Sequence, residues 1–148
     1  LSVFEFLSLS QFDSTLEIQS ILQLLEISYL HDKSCINLSG GEAGLVLLAS
    51  AILHNAKFTI LDEITSNLDP KKQKLVYQIL ETNEFLQSKC IITHNLNFAF
   101  KLGFDILYLE NGTIKFQGSS ESFFENSNLL TFFGDGVKRI ENNIVVNL

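Results

Sequence analysis

The 148-residue sequence contains no Met, no Trp, a single Pro and only two Cys. Because it also opens on Leu1, a truncated or unusually initiated chain is the expectation. Cys35 and Cys90 lie far apart without C-x-x-C spacing, and no signal-peptide pattern opens the chain, so a redox role is disfavoured and a cytosolic address expected. Each cysteine is flanked by an apolar residue and reads as a small buried hydrophobe. Positive charge is scarce. Ten Lys and Arg against seventeen Asp and Glu give a net charge of -7, and no basic cluster is present that could neutralise a run of phosphates, which excludes direct nucleic-acid binding as the working reading. Long hydrophobic runs are missing too: the longest, from Gly44 to Leu53, is far too short to span a bilayer despite a mean hydropathy of +0.22. The chain is expected to be soluble, or peripheral through a partner. No repeat, low-complexity tract or Pro/Gly/Ser-rich linker marks a domain boundary.

What is present is apolar. Hydrophobic residues make up 46% of the chain, with 13 Phe, enough to offset the entropy of ordering one compact domain or a large piece of one. From Leu16 to Leu30, Ile18, Ile21, Leu22, Leu25 and Tyr29 recur at three- and four-residue steps and predict an amphipathic helix. After a loop over residues 32–37, Ser39-Gly40-Gly41-Glu42 leads into a largely apolar, proline-free run to Leu53, which predicts a glycine-started buried helix.

Lys57 to Leu61 and Cys90 to Thr93 are strand-length apolar runs, expected as central strands of a parallel sheet. Between them, Pro70 followed by Leu75, Val76, Ile79 and Leu80 predicts a helix to Glu81, and strand-helix-strand order implies a right-handed crossover. Asn95 to Leu102 predicts a short helix. Asn111-Gly112, between Asp105–Leu109 and Thr113–Phe116, predicts a hairpin with a type I′ turn. In the tail, an amphipathic stretch surrounds Phe123 and Phe124, and Val137 to Val146 suggests a second hairpin around Asn142-Asn143.

Candidate chemistry starts with Asp62-Glu63, adjacent acids at the end of a strand expected to be buried, where ligands of parallel α/β sheets collect. Taken alone, such a pair equally serves to end a strand at the surface. Ser39-Gly40-Gly41 permits close backbone approach to an anion at a helix N-terminus, but alone it reads sooner as a turn. His94 alone is a strand-end histidine; His31 and His54 receive no role.

Together, Leu38-Ser39-Gly40-Gly41-Glu42, Asp62-Glu63, Ser66-Asn67-Leu68-Asp69 and Ile92-Thr93-His94 resemble, in order and spacing, the signature motif, Walker B pair, D-loop and switch histidine of the ABC-type ATPases. The resemblance covers the chain to about Phe124. It implies an α/β, P-loop NTPase-like parallel sheet, incomplete here, with part of the helical subdomain and a C-terminal β-hairpin. The implied segments are a helical subdomain at 1–37, the signature, Walker B, D-loop and switch region at 38–125, and a C-terminal tail at 126–148. It further implies ATP and Mg²⁺ as cofactors. Asp62 is implied as the metal-site residue and Glu63 as the base that polarises the attacking water. His94 is implied to contact the γ-phosphate. Ser39, Gly40, Gly41 and Glu42 are implied to meet ATP held by a second ATPase subunit in a head-to-tail dimer, with Asp69 at the subunit boundary. Transmembrane permease subunits are the other implied partners, giving a cytoplasmic position at the inner face of the cell membrane. Within the family, Leu1 to Phe12 is most similar to importers of iron complexes, haem or cobalamin.

The sequence also departs from the family. No G-x-x-x-x-G-K-[ST] occurs, nor any Gly-Lys dipeptide, so the phosphate cradle is not in these residues, and Gln11 falls after the family's Q-loop position. Ala43-Gly44-Leu45 replaces the usual basic and glutamine residues after the signature, and Ile64 the usual proline after Glu63. Three readings follow: part of an ATP-hydrolysing transporter subunit; a non-catalytic half-domain docking on a complete ATPase; or an ABC ATPase serving a process other than transport.

Overall fold

The computed structural model describes residues 1–11, 16–82 and 84–146. Phe12, the last residue of the stretch likened to metal-complex importers, lies outside them, as do the final two residues of the tail. The described chain divides into two units, Leu1–Thr93 and His94–Leu148.

The first unit opens with α1 (Val3–Ser10), started by a capping box: Ser2 Oγ accepts from the Glu5 N–H while the Glu5 carboxylate accepts from the Ser2 N–H. Next comes α2 (Ile18–Leu24), which buries Ile18, Ile21 and Leu22 as the periodicity predicts, yet stops well short of Leu30. Its stop is a left-handed residue, Glu26 at φ +54°. The N–H groups of Glu26 and Ile27 turn back to the carbonyls of Gln23 and Leu22. This is a Schellman ending with Glu where Gly usually stands. Leu25, Ile27 and Leu30 are nonetheless fully buried. The apolar spacing that suggested a longer helix is therefore satisfied by a cap and a 3₁₀ turn over Ser28–Leu30.

A single long helix, α3 (Gly40–His54), forms the spine of this unit and packs against α1 and α2. Leu45, Val46, Leu48, Ala49, Ile52 and Leu53 are buried along it, each large side chain contributing about 1.5–3 kcal/mol. Asn55, in the left-handed region at φ 50°, ends it. Strand β1 (Thr59–Asp62) follows, then α4 (Pro70–Glu81), capped by Asp69 with Pro at its first turn, then β2 (Lys89–Ile92). The strands pair in parallel, Thr59 with Lys89 through Asp62 with Ile92.

Two expectations fail here. Among the described residues this sheet has only two strands, and in β1 only Leu61 is buried. Strand alternation sends Ile60, Cys90 and Ile92 to one face, and that face is open, with Ile60 61% exposed. Cys90 is accordingly exposed and Cys35 half-buried, so neither is a buried core thiol.

In the second unit, α5 (Leu96–Leu102) runs from an Asn95 cap to the left-handed Gly103. The predicted hairpin is β3 (Ile106–Glu110) with β4 (Thr113–Gly118). Its Asn111 and Gly112 sit at φ 50° and 72°, the paired positive values of a type I′ turn. Short helices α6 (Ser120–Phe123) and α7 (Asn126–Phe133) follow, the latter unforeseen. A second hairpin, β5 (Val137–Ile140) with β6 (Asn143–Val146), turns at Glu141-Asn142, one residue earlier than expected, with Glu141 at φ 52°. The core is aromatic: Phe123 and Phe124 are buried with Leu129, Val137 and Ile144, and Tyr108, Phe116, Phe132 and Phe133 pack around them. No helix among the described residues is long and apolar enough to cross a membrane.

Candidate functional site

Within the first unit, the start of α3 meets the loop that leaves β1. Ser39 caps α3 through its Oγ, which accepts from the Glu42 N–H, while Glu42 accepts from the Ser39 N–H at 2.8 Å. The S-x-x-E spacing is a capping box, and it leaves the first N–H groups of the helix, on Gly40 and Gly41, without an intrahelical acceptor. Lys33 adds a bidentate contact, its Nζ 2.9 and 2.8 Å from the two Glu42 carboxylate oxygens. The Lys33 hydrogen bond, then that from the Ser39 backbone, holds the Glu42 carboxyl down to about 2. At neutral pH the first turn of α3 thus carries a fixed carboxylate.

Close packing requires glycine at position 41 and is tight at position 40. A Cβ on Gly41 would stand 2.6 Å from the Asn67 carbonyl oxygen, and one on Gly40 3.2 Å from Asn67 Nδ2. Gly44 differs: a Cβ there meets only the Ile64 carbonyl, at 3.5 Å, an ordinary contact. The loop over residues 64–68 therefore runs directly along the first turns of α3.

That loop begins at a strained residue. Glu63 has φ 49°, sparsely populated for a side chain of its kind, and its N–H still donates to the Ile92 carbonyl, extending the parallel ladder one step past β1. Ser66 folds back on it, its N–H and Oγ both donating to the Glu63 carbonyl, at 3.1 and 2.8 Å. Leu68 N–H donates to Thr65, Gln73 Nε2 donates to the Leu68 carbonyl, and Asp69 accepts from the Lys72 N–H to cap α4.

The structure thus gathers most of the predicted residues in one unit. Gly40 and Gly41, between the capping pair Ser39 and Glu42, are packed on the loop that ends at Asp69, and that loop starts from Asp62, exposed, and Glu63, half-buried. His94 is the first residue of the second unit and is exposed. His31 pairs with Asp32 and stacks on Phe4, and His54 lines an open groove of about 420 Å³ with Leu47, Phe58 and Ile60, by the start of β1 rather than its acidic end. Among the described residues no trio of His, Cys, Asp and Glu forms a metal cage. Asp62 and Glu63 instead offer hard oxygen donors, the type that suits a Mg²⁺ ion keeping several of its own waters.

Sequence reasoning missed Lys33, the contact of Asn67 with the glycines, and the grip of Lys72 on α2. The capping-box spacing of Ser39 and Glu42 was a readable signal. Lys33 and Lys72 meet their partners only through the fold, and nothing local marks them.

A family model described as ABC transporter matches residues 1–66, taking in the signature loop and Asp62-Glu63. Among curated relatives, the energy-coupling factor transporter ATP-binding protein EcfA1 of Thermotoga maritima is 36% identical over 123 residues, 82% of this chain and 47% of the relative. The zinc import ATP-binding protein ZnuC of Pasteurella multocida is 36% identical over 138 residues, 91% of this chain and 52% of the relative. Over residues 1–66 the chain is similar to the ABC transporter family. The chain spans about half the length of these curated relatives. A solved metal-chelate type ABC transporter in an inward-facing conformation covers the whole chain at TM-score 0.77 and 21% identity, with 67% of that structure's chain matched, and supports the α/β, partial P-loop NTPase fold.

Proposed function

We propose that this chain is the signature- and Walker B-bearing part of an ATP-hydrolysing ABC transporter subunit. The observation that carries the reading is the packing of Gly40 and Gly41 onto Asn67, in a loop that starts at Asp62-Glu63. One compact region then carries helix N–H groups suited to an anion and, at the other end of the same loop, carboxylates suited to a cation and a water. ATP with Mg²⁺ is the ligand of this reading, and the cation supplies charge neutralisation during phosphoryl transfer. Asp62 would help hold the ion, largely through water. Glu63 accepts the proton of the attacking water, and its left-handed backbone fixes where that carboxylate emerges. His94 donates a hydrogen bond to developing negative charge. Ser39, Gly40, Gly41 and Glu42 face nucleotide held by a second, P-loop-bearing subunit in a head-to-tail pair, with Asp69 at that boundary. Permease subunits then set the cargo and hold the chain peripherally at the cytoplasmic side of the membrane.

The segment boundaries at 1–37, 38–125 and 126–148 belong to this reading. So does the narrower leaning toward importers of iron complexes, haem or cobalamin, which rests on Leu1 to Phe12; the relatives above are named for zinc import and energy-coupling factor transport. A second reading is a non-catalytic module docking on a complete ATPase.

Both readings meet one experiment. The chain is mixed with a complete ABC ATPase carrying a P-loop, and MgATP-dependent association and hydrolysis are measured with Glu63 intact and with Glu63→Gln. The catalytic reading expects an ATP-dependent complex whose hydrolysis falls about 10²-fold or more in the variant while association persists. Association with hydrolysis indifferent to Glu63→Gln supports the docking module, and no MgATP-dependent association at all removes both.

A further inference from the structure

A cationic clasp joins α2 to α4 across the first unit. Lys72 Nζ donates to the carbonyls of Leu25 and Glu26, each at 3.1 Å, and lies 3.3 Å from the Glu26 carboxylate; Lys71 Nζ reaches the same carboxylate at 3.0 Å. The Lys72 side chain is only 17% exposed, against 79% for Lys71, so Lys72 is the committed member of the pair. Its partners are unusual. Leu25 and Glu26 are the capping residues of α2, and Glu26 occupies a left-handed conformation that ordinarily belongs to glycine. A Lys ammonium on such terminal carbonyls offsets part of that conformational cost.

The other end of Lys72 is the D-loop. Its backbone N–H donates to Asp69 Oδ1 at 2.9 Å, and the neighbouring Gln73 side chain donates to the Leu68 carbonyl at 3.0 Å. Asn67, next along, is the residue against which Gly40 and Gly41 are packed. An unbroken path of contacts therefore runs from the left-handed cap of α2, through Lys72 and the loop over residues 64–69, to the first turn of α3.

We propose that Lys72 is a positioning residue: by clasping the left-handed end of α2 it sets the D-loop against Gly40 and Gly41 and so fixes the geometry of the signature turn. This rests on the ATP-facing role proposed above for that turn, but its test needs no nucleotide. Displacement of α2 would be transmitted to the signature glycines through this side chain, and loss of the ammonium would uncouple them.

Residue-resolved amide hydrogen exchange on the full chain reads the coupling. Lys72→Met keeps much of the stem and removes the donor; Lys72→Arg restores a cation. Lys72→Met is expected to speed exchange about tenfold at Ser66, Leu68, Glu42 and Ala43, whose N–H bonds close the D-loop and signature turns, while Ile52 and Leu53 in α3 stay unchanged. Lys72→Arg is expected to return those amides to near the parent rates. Faster exchange confined to Glu26 and Ile27, or spread equally over the whole unit, overturns the proposal, as does failure of Lys72→Arg to rescue. Either negative result leaves the ATP reading standing, because that reading fails only in the association experiment.

Discussion

The two units are held together by different means. In the second, Phe123 touches the rings of Tyr108, Phe116, Phe124, Phe132 and Phe133 at centroid distances of 4.9 to 6.4 Å, so cohesion is apolar and largely indifferent to pH. In the first, α3 supplies an apolar spine, but the segments bearing the candidate chemistry are fastened by caps, ion pairs and one backbone contact of glycine on asparagine. A site built this way can be perturbed without melting its core, whereas the aromatic unit has little middle ground. Small changes should therefore separate in the first unit what the second keeps together.

The largest effect is expected where the aromatic cluster is opened. Phe123→Ala should cost about 3–5 kcal/mol and lower the unfolding midpoint of the second unit in denaturant titrations followed by tyrosine fluorescence. Gly41→Ala comes next. Its methyl cannot fit 2.6 Å from a backbone oxygen, so a loss of about 1–3 kcal/mol in chemical denaturation is expected, with the amide resonances of Asn67 and Leu68 shifting most.

A third test uses pH. The Glu42 carboxyl is held to about 2 against an ordinary value of 4.5, so its contribution to stability is fully present above about pH 4.5 and is lost as pH falls toward 2. Lys33→Met should shrink the difference between denaturation midpoints at pH 6 and pH 3, and an unchanged difference would remove Lys33 as the cause. The smallest effect has the opposite sign. Gly44→Ala has room for its methyl and should stabilise the first unit by up to about 1 kcal/mol, so Gly41 and Gly44 should respond in opposite directions.

Much of this arrangement was readable in the residues. Apolar spacing located α3 and α4, two short apolar runs gave the parallel pair, and Asn111-Gly112 gave the turn of the first hairpin. Motif order marked Ser39–Glu42, Asp62-Glu63 and Ser66–Asp69 as one candidate region, and the fold packs Gly40 and Gly41 of the first against Asn67 of the last. What escaped was set by distance along the chain or by backbone angles that composition does not advertise. Glu26 and Glu141 take left-handed conformations without being Gly or Asn, so α2 ended early and the second hairpin turned one residue sooner than expected. Cys90 was misjudged because flanking apolarity says nothing about which face of a strand is covered. Lys33 and Lys72 are ordinary lysines until the fold brings Glu42 and the end of α2 beside them.

The turn at Asn111-Gly112 also bears on the order of assembly. Strands β3 and β4 meet across two residues, so their pairing closes a minimal loop and can form on the order of 1–10 µs. Strands β1 and β2 cannot meet until α4 and its flanking loops have been gathered between them, and a larger closure entropy is lost before any rung of that ladder forms. The hairpin should therefore zip early and locally, while the parallel rungs that carry Asp62 and Glu63 wait for long-range collapse, making the acidic end of β1 among the last features of the chain to acquire its native geometry.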